Sequence, residues 1–170
     1  NHNNLLEIDI RPFEIQDYER VAQIYEEGMA TGIATFETQL PNYEQWDERF
    51  IKKCRYVAHE NNQILGWCAL SKKSSRAVYK GVAEVTLYID SKNRGKGIGK
   101  RLLRHLIRQS EAEGFWTLTA HIFPENIASI KLHEQHGFRN VGYHEKIAMR
   151  DNKWFNNLIF ERRSTATRFL

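Results

Sequence analysis

Cysteine is scarce in this 170-residue chain: only Cys54 and Cys68, and not in a C-x-x-C arrangement. A disulfide framework is excluded. With no secretion-signal pattern at the start, two reduced, partly buried thiols and a cytoplasmic home are the expectation. No apolar run approaches the ~18–20 residues that span a bilayer. There is no internal repeat, linker or low-complexity segment, and no zinc-finger or RNA-recognition signature. His133 and His136 stand at metal-ligand spacing, but no third ligand lies at a sensible distance, so no metal is expected.

Hydrophobic residues make up 41% of the chain and aromatics 12%, enough to argue against disorder. One domain over 1–170 is expected, with a core from about residue 8 to 162. The net charge is +4, and a good part of the excess lies between Lys92 and Arg108. That points to a local attraction for phosphates rather than a nucleic-acid face. Binding of DNA or RNA through Arg104 and Arg108 is the rival reading, and it requires steeply salt-dependent affinity.

The charge surrounds the stretch on which the chain is organised. Val85, Leu87 and Ile89 alternate with Glu84, Thr86 and Tyr88, as in a half-buried strand. Leu102, Leu103, Leu106 and Ile107 recur at helical spacing, and Gly114 is a stop. Between them lies a turn with Gly95, Gly97 and Gly99 among Arg94, Lys96, Lys100 and Arg101. Strand, glycine-rich turn and helix together make an anion site, because glycine lets the backbone approach and the first helical N–H groups point outward. The turn is neither G-x-G-x-x-G nor G-x-x-x-x-G-K-[ST]. Its pattern is Arg94-Gly95-Lys96-Gly97-Ile98-Gly99, an R-x-x-G-x-G that resembles the pyrophosphate loop of the GCN5-related N-acetyltransferases.

The remaining chain reads as follows. A strand is expected at Leu6–Ile10, ended by Arg11-Pro12, after a frayed end or cloning remnant at Asn1–Asn4. Asp17 caps a helix through Met29 that stops near Gly32. A loop at Ala34–Thr38 leads to a helix over Pro41–Lys53, with Trp46 and Phe50 on one face. Tyr56–His59 and Ile64–Leu70 form a hairpin across Asn61-Asn62, and Lys72–Lys80 is a loop. After the central unit come a strand at Trp116–Phe123 and a helix from Glu125 or Asn126 to His136-Gly137. Two last strands follow, Phe138–Tyr143 and Trp154–Arg162, joined across Asp151-Asn152, with Ser164–Leu170 loose. This order is α+β: a mixed central sheet of about six or seven strands flanked by helices. It matches the acetyltransferase fold, in which the resemblance implies that the fourth and fifth strands run parallel and splay apart around the cofactor.

Two further stretches carry the resemblance. Asn126 to Phe138 is similar to N-x-x-[AS]-x-x-x-Y-x-x-x-G-F, with His133 at the tyrosine position, as in the phosphinothricin acetyltransferase branch. Arg76 to Glu84 looks like that branch's R-x-A-Y-x-x-T-x-E, with Val78 and Val82 departing from it. On the residues alone, Asn126 is a helix N-cap, His133 a satisfied helix histidine and Glu84 an exposed strand carboxylate. The resemblance implies an acetyl-CoA-dependent N-acetyltransferase. Arg94, Gly95, Lys96, Gly97, Ile98, Gly99 and Lys100 then hold the pyrophosphate, the backbone of Leu87, Tyr88 and Ile89 holds the pantetheine, and Asn126 touches the cofactor. Glu84 is the base that frees an amine for attack, and His133 stabilises or protonates the leaving thiolate. Ser74, Ser75, Arg76 and Tyr79, with Glu84, receive the acceptor, and Phe36 and Trp46 line its side. An amino acid or analogue, such as phosphinothricin or methionine sulfoximine or sulfone, is the expected acceptor, and a homodimer the expected assembly. Acetylation of another amine (a protein N-terminus, a polyamine, an antibiotic) and non-catalytic binding of coenzyme A are the alternatives.

Overall fold

A computed structural model describes residues 7–170. The proposed remnant at Asn1–Asn4, and Leu6 at the head of the expected first strand, lie outside the described residues. The strands are β1 (Asp9–Pro12), β2 (Tyr56–Glu60), β3 (Gln63–Lys72), β4 (Val82–Ile89), β5 (Thr117–Ile122), β6 (Arg139–Arg150) and β7 (Lys153–Arg163). The helices are α1 (Tyr18–Ala30), α2 (Tyr43–Arg49), α3 (Ile98–Ala112) and α4 (Ile127–Gln135). The strands form one seven-stranded sheet in the order β1-β2-β3-β4-β5-β7-β6. Only β4 and β5 pair in parallel; the other neighbours are antiparallel. The mixed α+β sheet expected from the sequence is therefore present.

The central strands are buried on both faces, which their alternation encodes. On β3, Ile64, Trp67 and Ala69 join one apolar cluster, while Leu65, Cys68 and Leu70 join the other. The first cluster packs under α1 and α2 through Val21, Ile24, Tyr25 and Trp46. The second lies under α3, which buries Leu102, Leu103, Leu106 and Ile107. Trp46 belongs to the first core and stacks among Phe13, Phe50 and Trp67 instead of lining an acceptor pocket. Cys54 and Cys68 are free and buried, and burial pushes the Cys54 thiol up to about 11.

Turn chemistry explains the hairpins. Asn61 and Asn62, and Asp151 and Asn152, all take positive φ, as two-residue hairpin turns require. Several boundaries differ from expectation. β1 runs through Pro12, which an edge strand tolerates because its N–H is not needed by a further neighbour. α2 is shorter at both ends: Asn42 caps it by accepting from Gln45 N, and Phe50 turns extended so that Ile51 N can donate to Leu70 O. β6 continues to Arg150, its register shifted between His144 and Ala148, where Lys146 sits at φ +47°. The tail is pinned: Ser164 is buried, its Oγ donates to Glu111, and Thr167–Phe169 forms a 3-10 turn. Among the described residues no helix is long and apolar enough to cross a membrane.

Candidate active site

The parallel ladder between β4 and β5 is short. Its register is Val82 to Thr117, Ala83 to Leu118 and Glu84 to Thr119, and there it stops. Beyond Glu84 the two strands part, and the gap opens into a cavity of about 450 Å³. Leu87, Tyr88 and Glu84 line it from β4, His121 from β5, Asn126 and His133 from α4, and Phe36 from the α1–α2 loop. From Thr86 onward, β4 pairs with β3 but has no partner in register on the β5 side. Its outward backbone groups form an internal edge, of the kind that accepts an extended ligand as an added strand.

The glycine turn sits at the far end of β4. Buried Asp90 fixes its first corner by accepting from Lys92 N and the Asn93 amide, with Arg20 at 3.4 Å. Burial pushes the Asp90 carboxyl up, but these hydrogen bonds and the Arg20 charge outweigh it and hold the group below its usual range. Gly95 and Gly97 both stand at φ +80°, and a Cβ on either would meet nothing within 4 Å. Gly97 is the N-cap of α3, whose first hydrogen bond runs from Arg101 N to Gly97 O. The N–H groups ahead of it have no intrahelical acceptor and face an open, exposed turn. Glycines set for a left-handed bend, free space above them and a helix N-terminus behind them fit the diphosphate of coenzyme A. Arg94, Lys96 and Lys100 are exposed around the turn, with Lys96 Nζ donating to Asn93 Oδ1 at 2.8 Å. Ile98 is buried in the core below, and Gly99 lets Leu132 of α4 approach. Ile89 packs against the α3 core.

Glu84 is a third exposed and lies beside the end of the ladder, its Oε1 3.1 Å from His121 Nε2 and 3.6 Å from Lys73 Nζ. His121 is held below the usual histidine range, first by burial and then by the charges of Lys73 and His144, against the opposing pull of Glu84. His133 is buried, with Phe138 edge-on to its ring. Its Nδ1–H donates to Ser129 O at 2.7 Å, and burial lowers its affinity for a second proton. The ring therefore presents a bare Nε2 at neutral pH. His136 Nδ1 likewise bonds Leu132 O at 2.8 Å.

Asn126 caps α4 by accepting from Ser129 N at 3.2 Å, and it also lines the cavity, so both sequence readings of it coexist. The Tyr88 ring packs against Tyr25 and Trp67 under α1. Ser74, Ser75, Arg76 and Tyr79 stand apart from the cavity lining. Arg76 N donates to Ser74 Oγ, and its guanidinium lies 5.7 Å from the Tyr79 ring centroid. Within one chain the expected acceptor residues thus do not meet Glu84.

Sequence reasoning missed three features. His121 and Lys73 flank Glu84, and Asn157 approaches the far side of His121 at 3.2 Å. The loop bearing Phe36 forms a wall held from β6: Arg150 donates to Thr35 O at 2.8 Å and to Gly32 O, and lies over Phe155. Phe36 packs on Phe123 with centroids 4.5 Å apart. The alternation of Thr117–Ile122 could have placed His121 on a face with Thr119, but nothing local marks Lys73 or Arg150.

A model of the acetyltransferase (GNAT) family matches residues 18–138. YwnH of Bacillus subtilis is 35% identical over 158 residues, covering 90% of this chain and 97% of that protein. An L-methionine sulfoximine/L-methionine sulfone acetyltransferase of Pseudomonas aeruginosa is 24% identical over 153 residues, covering 86% and 89%. Among solved structures, a phosphinothricin acetyltransferase of Sinorhizobium meliloti in complex with acetyl-CoA superposes with a TM-score of 0.85. It is 28% identical and covers 95% of this chain and 92% of its own.

Proposed function

The chain belongs to the acetyltransferase (GNAT) family and is an acetyl-CoA-dependent N-acetyltransferase; from that premise we propose that its acceptor is the α-amino group of an amino acid or close analogue, of the phosphinothricin or methionine sulfoximine and sulfone kind. One observation carries the reading: the cleft where β4 and β5 part has a carboxylate at its closed end, an unpaired strand edge along one side and a glycine turn beyond.

Acetyl-CoA supplies the activated acyl group as a thioester. The residues from Arg94 to Lys100 hold its diphosphate, through backbone N–H groups and local positive charge. The backbone of Leu87, Tyr88 and Ile89 aligns the pantetheine, and one N–H of this edge polarises the thioester carbonyl. Glu84 takes a proton from the acceptor ammonium, directly or through water, so that the nitrogen gains a lone pair. The bare Nε2 of His133 suits a shuttle: it receives the proton that the attacking nitrogen sheds and returns it to the departing sulfur. Holding both substrates together supplies much of the rate. Two free, buried cysteines accord with a cytoplasmic enzyme. A homodimer is supported by exposed Val141, Tyr143, Ile147, Met149 and Trp154 on the β6–β7 hairpin.

The test is thiol release from acetyl-CoA against a panel of amino acids and analogues, polyamines and a peptide N-terminus. Turnover is expected with phosphinothricin, methionine sulfoximine or methionine sulfone. Turnover confined to the peptide or the polyamines would overturn the acceptor assignment.

A further inference from the structure

At the closed end of the cleft a cation and an anion already face each other. Lys73 Nζ lies 3.6 Å from Glu84 Oε1 and 2.9 Å from His121 Nε2. The Asn157 amide nitrogen only donates, so His121 Nδ1 is the acceptor there, and the neutral ring carries its proton on Nε2, 3.1 Å from Glu84 Oε1. Lys73 lies beside that contact, its ammonium next to the same Glu84 oxygen. Glu84 and Lys73 are each about a third exposed or more, at 33% and 40%, so a ligand can reach both.

An α-amino acid at neutral pH carries an ammonium and a carboxylate a few bonds apart. That arrangement is the complement of the Glu84–Lys73 pair. The geometry assigns Lys73 as the receptor for the acceptor's α-carboxylate. The inference rests on the acetyl-transfer reading above and names the feature of the acceptor that is recognised. On binding, one ion pair within the protein is exchanged for two between protein and ligand: ammonium to Glu84 and carboxylate to Lys73. No charge is left unpaired by the exchange. An amine lacking the carboxylate would break the Glu84–Lys73 pair, leave Lys73 uncompensated and set two cations beside one carboxylate, so it is rejected by repulsion as well as by a lost contact. Arg76, the residue the sequence offers for an oxyanion, and Lys73 both stand just outside the cavity lining, but Arg76 lies against Tyr79 while Lys73 lies 3.6 Å from Glu84. Lys73 is the cation that touches Glu84.

The experiment compares methionine sulfone with its carboxamide, in wild type and in Lys73→Met, which keeps an unbranched chain without charge. Both equilibrium binding by calorimetry, with coenzyme A present, and kcat/KM by thiol release are measured. Wild type is expected to prefer the acid by about ten- to a hundredfold, the loss typical of one charge-assisted contact. Lys73→Met should erase that preference, chiefly through KM, with acetyl-CoA affinity little changed, and Lys73→Arg should restore much of it. A wild type that treats acid and amide alike, or a Lys73→Met enzyme that keeps the wild-type ratio, overturns the assignment. Acid-selective binding without thiol release would sink the acetyl-transfer reading and leave the carboxylate receptor standing.

Discussion

Glu84 and His133 are single residues whose surroundings decide what each does. Glu84→Gln keeps the shape and removes the proposed base, so kcat should fall by about 10²- to 10⁴-fold while acetyl-CoA affinity, measured by calorimetry, stays near wild type. His133 makes a different prediction, on stability. Burial holds its folded-state proton affinity below that of the unfolded chain, near 6.5. Below that pH the unfolded chain binds the proton that the folded one resists, so stability is complete above about pH 6.5 and is lost as pH falls through the folded value. Denaturant titrations at pH 7 and pH 5 should therefore show a smaller loss for His133→Gln than for wild type; equal losses would mean the buried ring does not contribute. Both residues were visible in the sequence as members of motifs. The tautomer of His133 was not, because it is set by a helix carbonyl one turn away that no pattern of residue types records.

At the scale of elements, β4 is where fold and site meet. One face packs on the α3 core and the other carries Tyr88 into the aromatic cluster under α1. Gly28 on α1 makes room for that ring: a Cβ there would sit 2.4 Å from Tyr88 Cδ1. Gly28→Ala should improve helix propensity by up to about 1 kcal/mol yet overpack by about 1–3 kcal/mol. A net drop in Tm is expected, together with weaker acetyl-CoA binding as β4 is displaced; a raised Tm would show that the ring moves aside freely. The strand, the glycine turn and α3 were legible because alternation, glycine spacing and helical periodicity are local. β6 was legible only in part. It is an edge strand, largely exposed, so burial imposes no alternation on it, and a shift in register after His144 breaks what pattern there is.

For the molecule as a whole, sequence and structure agree on the mixed sheet and part company where distant segments meet. The loop from Ser74 to Tyr79, expected to receive the acceptor, stands outside the cavity lining, while Glu84 is met by Lys73 from just past the end of β3 and by His121 from β5. The exposed apolar side chains of the β6–β7 hairpin belong to this scale too. Trp154 and Met149 are register partners, and both are about half exposed. If that face closes a homodimer, Trp154→Glu should convert a dimer to monomers in sedimentation experiments, with little change in Tm of the isolated fold. A wild type that sediments as a monomer would remove the dimer.

Arg150 grips carbonyls 115 and 118 residues earlier in the chain, and it lies beyond residue 138, where the match to the family model ends. Substitutions in the last hairpin can therefore reshape the Phe36 wall of the pocket without touching β4 or the glycine turn. One guanidinium, outside the stretch the family model covers, thus serves as a clasp on the mouth of the cleft.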